Sequence, residues 1–271
     1  MSDTYRANTA LLARQLGVSR GSLYHRSRME QKDWALKVRI EEALREFPAY
    51  GHRRIALHLV INKKRVLRVM RLFGIKPYRR RVRRWKKPRK LAAVFPNLLM
   101  RLVPSYPHQV WVADFTHLYW KDRDVRMATV MDVYTRRIVG LAVATKGGTL
   151  LVTQALCAAL LNHPRPSIFH SDNGVEYDAR SFRTLLASLG ISISRSKKGC
   201  PWENGYQESF YDKFKIDLGD PNRFDTLGEL AAEVYQTVHR YNALRIHSAL
   251  KMPPAEFARR HAPAILEAIP S

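Results

Sequence analysis

The sequence predicts an α/β domain on a mixed five-stranded sheet with helices on both faces, preceded by small all-helical units. Three observations predict it. After residue 105, short apolar runs with period-two alternation are interleaved with helix-length segments. Before residue 75, apolar residues recur at helical spacing between caps and stops. Between these regions lies a block of basic residues followed by VFPNLLMRLVPSYP, whose three prolines mark a boundary near 105. The expected division is a helix-turn-helix over 1–30, a second helical unit over 31–75, a basic arm and linker over 76–105, and the α/β domain over 106–271.

The first unit, NTALLARQLGVSRGSLYHRSR, reads as a helix over 9–16, a turn at Gly17 and a second helix capped by Ser19. In a DNA-reading unit of this kind the second helix enters the major groove, so Arg20, Ser22, Tyr24 and His25 are the candidate contacts. An ordinary helical hairpin fits the same residues. Over 32–47, Leu36, Ile40, Ala43, Leu44 and Phe47 share a helical face, and Pro48 ends it. A further helix runs from Asn62 as cap to Phe73, closed by Gly74, with Lys64, Arg68 and Arg71 on one basic side. A solvated charged face over a small core is the alternative there.

KPYRRRVRRWKKPRK, residues 76–90, holds ten basic residues and no acid. Such a block repels itself and reads as an arm tracking a phosphate backbone through Arg79, Arg80, Arg81, Arg83, Arg84, Lys86 and Lys87, with Tyr78 and Trp85 as stacking surfaces.

In the α/β region, QVWVADFTHLYW reads as one strand, and DVRMATVMDVYTRRIVGLAVAT as two antiparallel strands joined near 134–136. A helix over 148–162 leads to the strand SIFHS, one near 179–189 leads to ISISR, and long helices follow over 203–218 and 226–244.

Composition narrows the function. The longest mostly apolar run, LLVTQALCAALL, is too short to span a bilayer, which takes about 20 residues. The N-terminus lacks a secretory core, and two cysteines, Cys157 and Cys200, make neither a disulfide framework nor a zinc site. A cytoplasmic, nucleoid-associated protein is expected, with no membrane partner. The net charge is +24, and residues 1–105 carry most of it, with 27 basic and 6 acidic side chains. A polyanion partner follows, since Lys and Arg on phosphates release condensed counterions.

Few acids are spare in the α/β region, yet three stand at the ends or edges of elements. Asp114 follows VWVA, Asp172 follows SIFHS, and Glu208 lies in a helix with Lys215 two turns on. Strands ending side by side can present two carboxylates at one edge, and a helix across that edge can add a third. Such a trio repels itself unless it holds divalent cations, and two Mg²⁺ ions are the usual arrangement for phosphodiester chemistry. Asp132 reads as a turn residue, Glu203 and Asp212 as capping or solvated, and His170 as a core or shell histidine. Asn173 and Gly174 are expected to allow the turn that aims Asp172; Trp111 and Trp202 read as packing.

Together WVADFT, HSDNGVEY, PWENGYQESFYDKFK and YNALRIHSAL resemble the DDE transposases and retroviral-type integrases, and within them the insertion sequence three family (OrfB type). The resemblance covers nearly the whole chain, including YGHRRI and NKKRVLRVMRLFGI. It implies an RNase H-like integrase catalytic core, with Asp114, Asp172 and Glu208 as catalytic metal ligands for Mg²⁺, Mn²⁺ able to substitute, and Lys215 at the DNA end. It also implies binding of double-stranded DNA at the element's terminal inverted repeats and at target sites. Strand cleavage and transfer would follow a copying route that joins one end to the other, on a homodimer or higher oligomer without a nucleotide cofactor. A DNA-binding regulator with a vestigial core and a ribonuclease H are the competing readings. One departure is the short ALHLV between YGHRRI and NKKRV, where the family usually has a longer helix end and a glycine turn.

Overall fold

The computed structural model describes residues 9–24, 29–79, 95–100, 102–196 and 205–261. Helix α1 (Thr9–Gln15) ends at Gly17, which takes φ +63° while Val18 N–H donates to Ala13 O at 3.0 Å, a left-handed cap that a side chain would strain. Ser19 then caps α2 (Arg20–Tyr24), its Oγ accepting from Ser22 N–H at 3.3 Å.

The next unit is three helices around one core: α3 (Met29–Glu46), α4 (His52–Leu59) and α5 (Lys63–Leu72). Leu36, Ile40 and Phe47 meet Tyr50, Ile55, Val66, Val69 and Met70. Sequence analysis assigned no helix to 52–59, where His52, Arg53, Arg54 and His58 leave only a short apolar stripe. The helix is nonetheless present, and exposed Val60 takes the left-handed turn position at φ +54°, with Ile61 N–H returning to Ala56 O at 2.9 Å. That geometry costs a side-chain-bearing residue about 1–2 kcal/mol. Asn62 Oδ1 caps α5 by accepting from Lys64 N–H at 2.8 Å.

The sheet has the order β3-β2-β1-β4-β5. Strands β1 (Val110–Trp120), β2 (Arg123–Asp132) and β3 (Ile138–Ala144) form the antiparallel meander, while β4 (Ile168–Ser171) runs parallel to β1 and β5 (Ser192–Arg195) parallel to β4. Side chains alternate along β1. Trp111 and Ala113 pack under α6 (Thr149–Asn162), α7 (Val175–Asp178) and α8 (Arg180–Ser188); Val110 and Val112 pack under α9 (Gly205–Leu218) and α10 (Leu227–Ala243). This is the mixed five-stranded α/β fold expected. The short α7 and the closing α11 (Pro254–His261) carry too few periodic residues to have been foreseen.

The helical unit is joined to the α/β layer through the segment after α10. Ile246 enters the helical core and donates its N–H to Tyr50 Oη at 2.7 Å, and Arg54 Nε donates to Ser248 Oγ at 2.9 Å. Among the described residues no helix is long and apolar enough to cross a membrane.

Candidate active site

The strand register brings two of the acids level. Parallel pairing sets Val112 beside His170, and two residues further along each chain come Asp114 and Asp172. Asp114 continues the even-numbered side of β1, the side covered by α9, and its Oδ1 accepts from Phe115 N–H at 2.8 Å.

Asp172 sits on the turn leaving β4. Its Oδ1 accepts from Gly174 N–H at 2.9 Å, and Asn173 Nδ2 ties the turn to Ser196 O at 2.6 Å. Gly174 has an ordinary φ of −62°, so the glycine is needed for space instead: an added Cβ would lie 2.9 Å from Asp172 Oδ1 and 3.0 Å from Glu176 Oε2. Beneath the turn lies Arg195, 2% exposed, donating from Nη1 to Asp172 O at 3.1 Å and from Nη2 to Tyr177 O at 2.6 Å.

Glu208 is placed by its helical neighbours. Gln207 donates from Nε2 to Val112 O at 2.7 Å and accepts from Thr129 Oγ1 at 3.0 Å. Tyr211, one turn on, donates to Asp114 O at 2.7 Å. These two buried polar groups seat α9 on β1 and β2 beside Phe210, Phe214 and Leu218. Buried polar side chains are costly unless paired, so they fix the helix's register.

The electrostatics record the crowding. Burial pushes the Asp114 carboxyl up to about 7, reinforced by Asp172 and Glu208, while Phe115 N–H and Lys215 pull it down. Asp172 is raised by burial and by Glu176, against Gly174 N–H and Arg195. Glu208 is raised by burial and by Asp212. Carboxylates with raised pKa values in one recess are the pattern of a functional site. Their hard oxygen donors suit Mg²⁺ or Mn²⁺. Among the described residues, however, no three His, Cys, Asp or Glu side chains close around one ion. Asp114 is the shared member, in electrostatic contact with both of the others.

The remaining candidates fall in different places. Lys215 acts on Asp114 and so belongs to the acidic end. Arg20 and Ser22 are exposed on α2, as are Lys64 and Arg71 on α5 and Arg79 beyond it. Arg68 is exposed on α5 too, but its guanidinium is also held by buried Asp33, with Nη1 to Oδ2 at 2.7 Å and Nη2 to Oδ1 at 2.5 Å, tying α5 to α3. The Tyr24 side chain, His25, Arg80, Arg81, Arg83, Arg84, Lys86 and Lys87 lie outside the described residues, as do Trp85, Cys200, Trp202 and Glu203.

Asp132 is the turn residue expected, fully buried and accepting from His108 N–H at 3.1 Å and Thr135 Oγ1 at 2.6 Å. His170 is a buried core histidine 2.8 Å from Ser194 Oγ, and Trp111 is buried packing. Sequence reasoning missed Arg195, Gln207, Tyr211 and Glu176. Gln207 and Tyr211 had a readable signal, because they interrupt the apolar face of α9 on either side of Glu208.

A sheet of this order, with one acid inside β1 just past its pairing with β4, a second on the turn leaving β4 and a third on the helix crossing them, defines an integrase-type core. The integrase core domain family matches residues 104–201, and a second integrase core domain model matches 189–254. The chain is 32% identical over 211 residues to the transposase for insertion sequence element IS904 of Lactococcus lactis, covering 74% of this chain and 83% of the relative. It is 30% identical over 262 residues to the insertion element IS600 uncharacterized 31 kDa protein of Shigella sonnei, covering 90% and 96%. A chain of the simian T-cell lymphotropic virus intasome, solved by cryo-EM with PP2A regulatory subunit B56 gamma, superposes with a TM-score of 0.50 at 18% identity, covering 84% of this chain and 77% of that one. The chain belongs to the insertion sequence three family of DDE transposases, polynucleotidyl transferases that act on DNA.

Proposed function

We propose that Asp114, Asp172 and Glu208 hold two divalent cations, Mg²⁺ with Mn²⁺ able to substitute, and that the chain thereby cuts and joins DNA at the ends of its own element. The observation that carries this reading is the Asp114 carboxyl held at about 7 by burial and by its two partner acids. Bound divalent ions would neutralise that crowding and polarise the phosphoryl and attacking oxygens. Asp114 orients the scissile group from within β1, Asp172 from the turn leaving β4 and Glu208 from the helix, and Lys215 holds a neighbouring phosphate. Water attacks one phosphodiester in line, breaking its P–O3′ bond and releasing a 3′-hydroxyl; that hydroxyl attacks a second phosphodiester and expels its leaving oxygen.

The exposed Arg20, Ser22, Lys64, Arg71 and Arg79 support binding of double-stranded DNA by the N-terminal half, with the arm over 76–105 joining it to a catalytic domain over 106–271. Pairing two ends calls for a homodimer or larger assembly, working on DNA in the cytoplasm. A regulator with a vestigial core would have no use for three acids whose crowding costs stability. Cleavage of a duplex bearing the element's end, set against an RNA:DNA hybrid of equal length, tests the reading. The end duplex is expected to be nicked in Mg²⁺ and left intact in EDTA; preferential cleavage of the hybrid would instead identify a ribonuclease H.

A further inference from the structure

The motif YNALRIHSAL finds no role in the acidic site, yet it builds a second site on another face of the same helix. Along α9, Glu208, Asp212 and Lys215 share one face, whereas Tyr206, Ser209 and Lys213 share another. The second face lines a half-open cavity of about 460 Å³ whose walls also include Arg54 of α4, Arg136 of the β2–β3 turn, and Arg245 and His247 after α10. Three arginines and Lys213 surround it, and among the described residues no carboxylate lines it.

Arg245 is 3% exposed. Its Nη1 pairs with Asp217, but its Nη2 is buried with no hydrogen-bond partner among the described residues, as are Nε and Nη1 of Arg136. The Arg136 guanidinium lies 4.1 Å above the Tyr206 ring, which holds it over the cavity. Burial and the neighbouring Arg245 lower the pKa of Arg54, and burial with Arg54 and Arg245 lowers that of Lys213. Burial and the same arginines push His247 down to about 4, so it enters as a neutral ring. Cations crowded this way, with donors left over, are complementary to an anion with several acceptor oxygens.

We propose that this cavity is a phosphate-binding site, distinct from the acidic site, with Arg136, Lys213 and Arg245 as the gripping residues. Its occupant is either a backbone phosphodiester of a DNA strand laid across α9 or a free phosphate compound. The cavity is larger than a bare phosphate, which leaves room for the sugar or organic group attached.

The probes are inorganic pyrophosphate, followed by calorimetry and thermal shift, and a fluorescent oligonucleotide duplex, followed by anisotropy over a salt series. All are run on the full chain in EDTA, so that no outcome depends on the metal reading. Arg136→Gln and Lys213→Gln change half-buried lining side chains; Arg245→Met is added only if its unfolding transition stays cooperative. Pyrophosphate binding that falls about tenfold or more in these variants, a loss of about 1.4 kcal/mol, with duplex affinity unchanged, establishes the site for a free phosphate compound. Duplex affinity that falls similarly, with a salt slope shallower by about one phosphate per charge removed and with pyrophosphate competing, establishes the backbone as the source. If neither probe distinguishes Arg136→Gln or Lys213→Gln from the parent, the proposal is overturned.

Discussion

Helix α9 separates two crowds of like charge that solve the same problem in opposite ways. On one side Asp114, Asp172 and Glu208 can relieve their repulsion by taking protons, and Asp114 does so at about pH 7. On the other side Arg54, Arg136 and Arg245 have no such exit, because a guanidinium stays charged. Among the described residues Asp217 pairs with Arg245 and offsets part of that charge, and an entering anion would offset more. The contrast teaches that a charge cluster's default state depends on its chemistry: the acidic end is poised between proton and metal, whereas the basic cavity is poised for an anion alone.

The first way to break the comparison is to remove the acid that both neighbours press on. Between pH about 4 and 7 the folded chain keeps the Asp114 proton while the unfolded chain has lost it, so stability falls as pH rises through this window and the loss is complete above it. At about 1.4 kcal/mol per pH unit the ceiling is about 4 kcal/mol, and solvent screening brings the expectation to about 2 kcal/mol. Metal-free Asp114→Asn is therefore expected to outlast the parent in denaturant at pH 8 and to match it near pH 4. Mg²⁺ should raise the parent's melting temperature at pH 8 and leave the variant's unchanged. Equal stability at both pH values would mean that burial and the neighbouring acids do not disfavour the Asp114 carboxylate.

A smaller effect tests the helix that both regions share. Gln207→Ala strips Val112 O and Thr129 Oγ1 of a buried partner, a loss of about 1–3 kcal/mol. Because α9 carries one wall of each site, the melting-temperature responses to Mg²⁺ and to pyrophosphate should weaken together. A variant that loses one response and keeps the other in full would show that the two walls are seated independently.

The two regions also differ in how far the sequence reveals them. The acidic trio is legible because each member follows or lies in a strong pattern, VWVA for Asp114, SIFHS for Asp172 and the helix after PWENG for Glu208, although β1 runs on past Asp114 to Trp120 instead of ending there. The mixed five-stranded sheet was legible for the same reason, since a three-strand meander is followed by two helix-linked strands, while the strand order came from the structure. The cavity was hidden because Arg54, Arg136, Lys213 and Arg245 come from four separated segments, and in a chain with 47 basic residues none stands out. The ion pair of Arg68 was hidden for a related reason: its spacing with Lys64 and Arg71 marks a face, but its partner Asp33 lies 35 residues away. Helix α4 was missed because it is only 8 residues long with a short apolar stripe, and Val60 supplies a turn normally signalled by glycine.

The central claim is that three acids on adjacent strands β1 and β4 and a crossing helix are the chemical centre, and strand cleavage by Asp114→Asn tests it most directly. With Mg²⁺ and a duplex carrying the element's end, the variant is predicted to bind within a few-fold of the parent and to cleave at least about 10³-fold more slowly, a barrier rise of about 4 kcal/mol. Cleavage at the parental rate would contradict the account.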